Sequence, residues 1–124
     1  MLLYGCIEQP EIPVPNTLEI ALGNKYASYV SNLNKACERD TSALLVLLKM
    51  DDIYDAAGYD HGYMLVQLMK LNGDTSFAKI LQCMTRKDLN NVSQYIEVGL
   101  DANDSEKYEM KNKFPLSMNI LYLK

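Results

Sequence analysis

The sequence predicts an all-α protein, folded as one compact domain of about five to six helices. Three observations carry that prediction. Apolar residues recur at gaps of three and four along most of the chain, as on one stripe of a helix. Start and stop signals punctuate the stripes: Asp40-Thr41-Ser42 precedes one, Asn72-Gly73-Asp74 separates two, and Gly99 follows another. With 124 residues, 48% of them apolar, the chain suits one hydrophobic core and leaves little room for a second.

Residues 1–16 read as an extended arm, because Pro10, Pro13 and Pro15 fix φ and remove backbone donors. Leu2, Leu3, Tyr4 and Ile7 are placed to lie against the domain. Residues 17–73 then hold the N-terminal helices. The first is expected over about residues 18–38, capped by Asn16 or Thr17. Leu22, Tyr26, Tyr29, Val30, Leu33, Ala36 and Cys37 form its stripe. The second follows the Asp40-Thr41-Ser42 cap, and its dense run from Ala43 to Leu48 implies burial on more than one face. A third is expected after Asp60, ending at Asn72-Gly73, with Met64, Leu65, Leu68 and Met69 inward.

Residues 74–124 carry the rest. Phe77, Ile80, Leu81 and Met84 form a fourth stripe, and Leu89, Val92, Tyr95, Ile96 and Val98 a fifth. Gly99 is the expected left-handed residue closing the fifth helix. The nearly all-polar stretch 101–113 is expected to be a projecting finger loop. Pro115 suits the first turn of a closing helix that carries Leu116, Met118, Ile120 and Leu121.

The stretch from Lys87 to Asn103 resembles the second helix and loop entry of an ankyrin repeat. Gly99, Asp101 and Asn103 match the family's closing pattern, and Phe114-Pro115-Leu116 resembles the opening of a following repeat. Leu100 stands where the family has a small residue, and Ser117 where it has histidine. The resemblance implies a helical hairpin with the finger available to a protein partner.

Chemistry is sparse. His61 is the single histidine and reads as an exposed or capping residue in a turn beside Gly62. Cys6, Cys37 and Cys83 are an odd number at wide spacing, which suggests neither a disulfide framework nor zinc ligation. Asp101, Asn103 and Ser105 imitate the start of a calcium loop, but Glu106 and Asn112 stand where that loop needs Gly and Glu. No glycine-rich phosphate loop is present. The sequence therefore predicts no catalytic residue, no metal and no cofactor.

A net charge of -4 with scattered Lys and Arg disfavours nucleic acid as a partner. The apolar runs are too short to span a bilayer, and Met1-Leu2-Leu3 lacks a basic leader, so a cytoplasmic protein is expected. Nine tyrosines are the unusual feature, and Tyr is enriched at interfaces. Two candidate partner-binding patches follow. One is Asp51, Asp52 and Asp55 with Tyr54 and Tyr59. The other is the finger, with Asp101, Asp104, Glu106, Tyr108 and Glu109. Small acidic domains of this kind resemble bacterial immunity proteins, which implies occlusion of a cognate toxin with a basic surface, for example a nuclease. An ankyrin-like adaptor is the alternative. A homodimer joined through Met64, Leu65, Leu68 and Met69 is another.

Overall fold

Pro13 and Pro15 keep the incoming chain extended, and Ile12 is already buried there. The computed structural model describes residues 12–101 and 104–122, so Leu2, Leu3, Tyr4, Cys6 and Ile7 of the expected arm lie outside the described residues. The first helix, α1, spans Asn16–Leu22. Neither Asn16 nor Thr17 caps it: Pro15 precedes the first turn, and the Thr17 hydroxyl donates to Asp60 on a later helix.

The single long helix expected over 18–38 is two helices. Gly23 takes φ +56, a conformation that L side chains rarely adopt, and a 3-10 turn over Gly23–Lys25 redirects the chain. α2 then covers Tyr26–Cys37 and α3 covers Thr41–Leu48. Asp40 caps α3 as expected, its carboxylate accepting from the Ala43 N–H at 3.0 Å. The α3 run buries Ala43, Leu44, Leu47 and Leu48 but leaves Val46 open to solvent.

α4 spans Asp55–Asn72 and is the spine of the molecule. It packs most extensively on α6, and it also touches α1, α2 and α5. The expectation of a start after Asp60 fails because Gly58 and Gly62 do not punctuate the helix. They let another backbone approach it. A Cβ on Gly62 would lie 1.9 Å from the Tyr95 carbonyl oxygen, and one on Gly99 would lie 2.5 Å from the Gly62 carbonyl carbon. Two bare glycines thus let α4 and α6 meet backbone to backbone.

Gly73, with φ +83, closes α4. α5 follows over Asp74–Leu81 and α6 over Arg86–Leu100, the latter capped by Thr85, whose hydroxyl accepts from the Asp88 N–H at 3.1 Å. Gly99 is not a left-handed cap. It lies inside α6, which runs on to Leu100. α6 packs mainly on α4, whereas α5 packs mainly on α8 (Pro115–Tyr122).

The finger loop is also corrected. Asp104–Lys113 is a helix, α7. Asp104 and Glu106 in its first turn and Lys111 and Lys113 in its last complement the helix dipole. Glu109 and Lys113 pair at 3.1 Å, one turn apart. Met110 is fully buried and pins the helix down, and Lys70 of α4 meets Glu106 at 2.5 Å. A nearly all-polar stretch becomes a docked surface helix on one apolar anchor and a set of ion pairs.

Asp74 joins the two ends of this region. Its carboxylate accepts from the backbone N–H groups of Leu116 (2.9 Å) and Ser117 (2.8 Å), and the Ser117 hydroxyl donates to the Asp74 carbonyl. The first turn of α8 is therefore capped by a side chain from α5. Among the described residues there is no strand, and no helix is long and apolar enough to cross a membrane.

Candidate functional site

The chain leaves α3 through Lys49–Asp52 and reaches α4 across Ile53 and Tyr54. Ile53 points inward and is buried, so its neighbours Asp52 and Tyr54 face out. The connection is clipped to α6 by one side chain. The Tyr95 hydroxyl accepts from the Ile53 N–H at 3.1 Å and donates to the Ile53 carbonyl at 2.8 Å. Each such bond contributes about 1 kcal/mol net. Asp55, the first residue of α4, takes φ +58, which Asp tolerates better than most side chains.

Between this connection and α6 lies a groove of about 320 Å³. Tyr54, Tyr59 and Tyr95 wall it, and Asp51 and Asp55 stand on it. Gly58 keeps the floor open, since a Cβ there would sit 3.1 Å from the Ile53 carbonyl oxygen. Tyr54 is 70% exposed and Tyr59 50%, high values for aromatic side chains. Tyr63, one turn on, is 45% exposed. Burial raises the Tyr95 phenol pKa, and Asp52, Asp51 and Tyr54 raise it further, against the Ile53 bond. Negative charge thus converges on this wall. Asp52 is engaged elsewhere: the Lys25 ammonium, 3.0 Å away, holds its carboxyl below the usual range.

Four of the five residues expected in the first patch therefore share one concave surface, and Asp52 lies just beside it. The second patch is separate. At about 1.5 Å per residue, Asp55 and Lys70 stand roughly 22 Å apart along α4. Lys70 is where α7 docks, pairing with Glu106 and, at 4.0 Å, with Glu109. Asp101 pairs with Lys107 at 3.8 Å, Asp104 is exposed, and Tyr108 is 72% exposed. Most acids of this patch hold α7 in place.

Tyr95 is the residue that sequence reasoning placed differently, as core. Asn91, Gln94 and Val98 line the groove beside it. Their spacing of three and four on α6 was the available signal, a second stripe next to the buried Val92 and Ile96. The Met64, Leu65, Leu68 and Met69 face is fully inside the core, so it is not offered to a second copy.

Behind the groove sits His61, which is wholly buried rather than exposed in a turn. Its Nδ1 shares a 2.8 Å hydrogen bond with the Tyr29 hydroxyl, and its ring meets the Tyr95 ring edge-on at 4.8 Å. Its Nε2 has no hydrogen-bond partner of good geometry among the described residues. Burial pushes its pKa down to about 4, with the Leu47 backbone and Asp52 acting weakly the other way. Burial likewise carries the Tyr29 phenol well above its ordinary range, helped by Asp60 and Tyr95.

Cys37 is half-buried and Cys83 exposed, and neither is in a disulfide. Among the described residues no group of three or more His, Cys, Asp or Glu is placed to hold a metal ion. A larger hollow of about 470 Å³ lies between α6, α7 and α8, over Leu100, Met118 and Tyr122. It gathers none of the residues expected to bind a partner. Set against family models, curated proteins and solved structures, the chain matches none of them significantly.

Proposed function

We propose that this chain is a non-catalytic protein-binding module, an immunity protein that neutralises a cognate toxin with a basic surface by occluding it. One observation carries the reading: Asp51, Tyr54, Asp55 and Tyr59 lie along one groove, with the two tyrosines largely uncovered. An exposed tyrosine joins an apolar body to a polar tip, which suits it to an interface centre. The aspartates attract a basic partner and steer its approach, a contribution to on-rate and specificity more than to raw affinity. Inhibition is then steric, because the bound domain covers the toxin's own site.

The test is capture of the partner from lysate of the source cells by the intact chain, followed by assay of the captured protein. The expected partner is basic, inhibits growth when expressed alone, and loses its activity in proportion to added chain. Tyr54→Ala with Tyr59→Ala abolishes capture. A captured protein that stays fully active while bound sinks the immunity reading.

An adaptor that binds through α7 is the second reading, supported by the exposed Tyr108. It makes α7 the contact surface. Capture lost on Tyr108→Ala, and retained in the Tyr54 and Tyr59 variant, favours it.

A further inference from the structure

We infer that the groove between Tyr54, Tyr59 and Tyr95 is a socket for a single arginine side chain presented by the partner. The inference rests on the protein-binding reading and names the group that would anchor it.

Size comes first. At about 320 Å³ the groove lies at the low end of the roughly 300–1,000 Å³ typical of small-ligand sites. It suits one long side chain rather than an extended molecule.

Chemistry comes second. A guanidinium is planar, so its faces stack on tyrosine rings while its edge meets carboxylates through paired N–H bonds. The groove offers both, from its tyrosine walls and from Asp51 and Asp55. Among the described residues no lysine or arginine lines it, and Lys25 beside it is paired with Asp52. The methylene stem of an arginine would lie over Ile53, Gly58 and Val98, keeping its head at the rim. An ammonium is a compact, strongly hydrated point charge that gains less from stacking, so lysine is the poorer occupant.

Preorganisation comes third. The Tyr95 ring cannot swing, because its hydroxyl is bonded to both backbone groups of Ile53. The groove therefore has one fixed wall, and less side-chain freedom is lost when it fills.

The experiment titrates the full chain, labelled with ¹⁵N, with N-acetyl-arginine methylamide. The lysine and citrulline equivalents are run in parallel, citrulline being the uncharged isostere. Saturable shifts are expected at Gly58, Tyr59, Asn91 and Gln94 with the arginine probe. Binding should be about threefold or more weaker with lysine and absent with citrulline. Tyr59→Ala and Asp55→Asn should each weaken it about tenfold, worth about 1.4 kcal/mol. Asn tolerates the positive φ at position 55, and both side chains are exposed, so these variants keep the fold. Tyr108→Ala should leave binding unchanged. Equal binding of citrulline or lysine, or shifts confined to α7, overturns the socket. An unresponsive groove in a chain that still captures a basic toxin overturns the socket alone. Arginine binding in a chain with no inhibited partner supports the socket and overturns the immunity reading.

Discussion

His61 is the only histidine in the chain, which makes its titration readable. Its pKa falls from 6.5 to about 4 on burial, so the unfolded chain binds the proton more tightly than the folded one. The stability this contributes is fully present above pH 6.5 and is lost as pH falls to about 4. At about 1.4 kcal/mol per pH unit the loss is on the order of 3 kcal/mol. Urea unfolding midpoints should therefore drop between pH 6.5 and 5, above most carboxylate titration, and His61→Gln should flatten that slope. A wild-type midpoint that stays constant across the interval contradicts the assignment. Gly62 makes a second residue-scale prediction. With 1.9 Å to the Tyr95 oxygen, a methyl group has nowhere to go, and Gly62→Ala should cost roughly 3 kcal/mol, measured as a lowered Tm. Neither role was legible in the sequence. The stretch beside Gly62 reads as a turn because glycine ordinarily breaks helices. A contact with Gly99 depends on helices brought together by tertiary packing, which no local period records.

Elements were more legible where a cap or a breaker marks them. Asp40 accepts the expected backbone N–H, and Gly73 stops α4 where the Asn72-Gly73-Asp74 signal places the stop. The polar stretch was misread because α7 buries only Met110 and so shows almost no stripe. Its attachment rests on that one side chain together with charges that meet across elements. Met110→Ala should therefore detach α7, costing about 2–4 kcal/mol, with faster hydrogen exchange confined to 104–113. The cap on α8 is the other element-scale test. Asp74→Ala leaves the Leu116 and Ser117 N–H groups without their acceptor and should cost about 1–2 kcal/mol in urea unfolding. Asp74→Asn should retain part of that, since an amide oxygen still accepts.

The whole molecule obeys the composition. A chain that is nearly half apolar builds one core, and the all-α class followed from the apolar period with its start and stop signals. The site was legible only in part. The acidic and aromatic residues of 51–59 could be named, but their partner wall on α6 could not, since Tyr95 fits an apolar stripe as well as a groove. Nor could the separation of the two patches be read before α4 proved to be one rod. Partner binding should respond at this scale. Raising salt from 50 to 500 mM should slow association with a basic partner and leave dissociation nearly unchanged, as stopped-flow mixing would show. The bond from Asp74 to Ser117 has a consequence for how the protein is made, because it joins positions 43 residues apart. At about 5–20 residues per second, a ribosome releases α5 roughly 2–9 seconds before the helix that covers it. For that interval α5 lacks its α8 cover, and this is when a nascent chain should need a chaperone most.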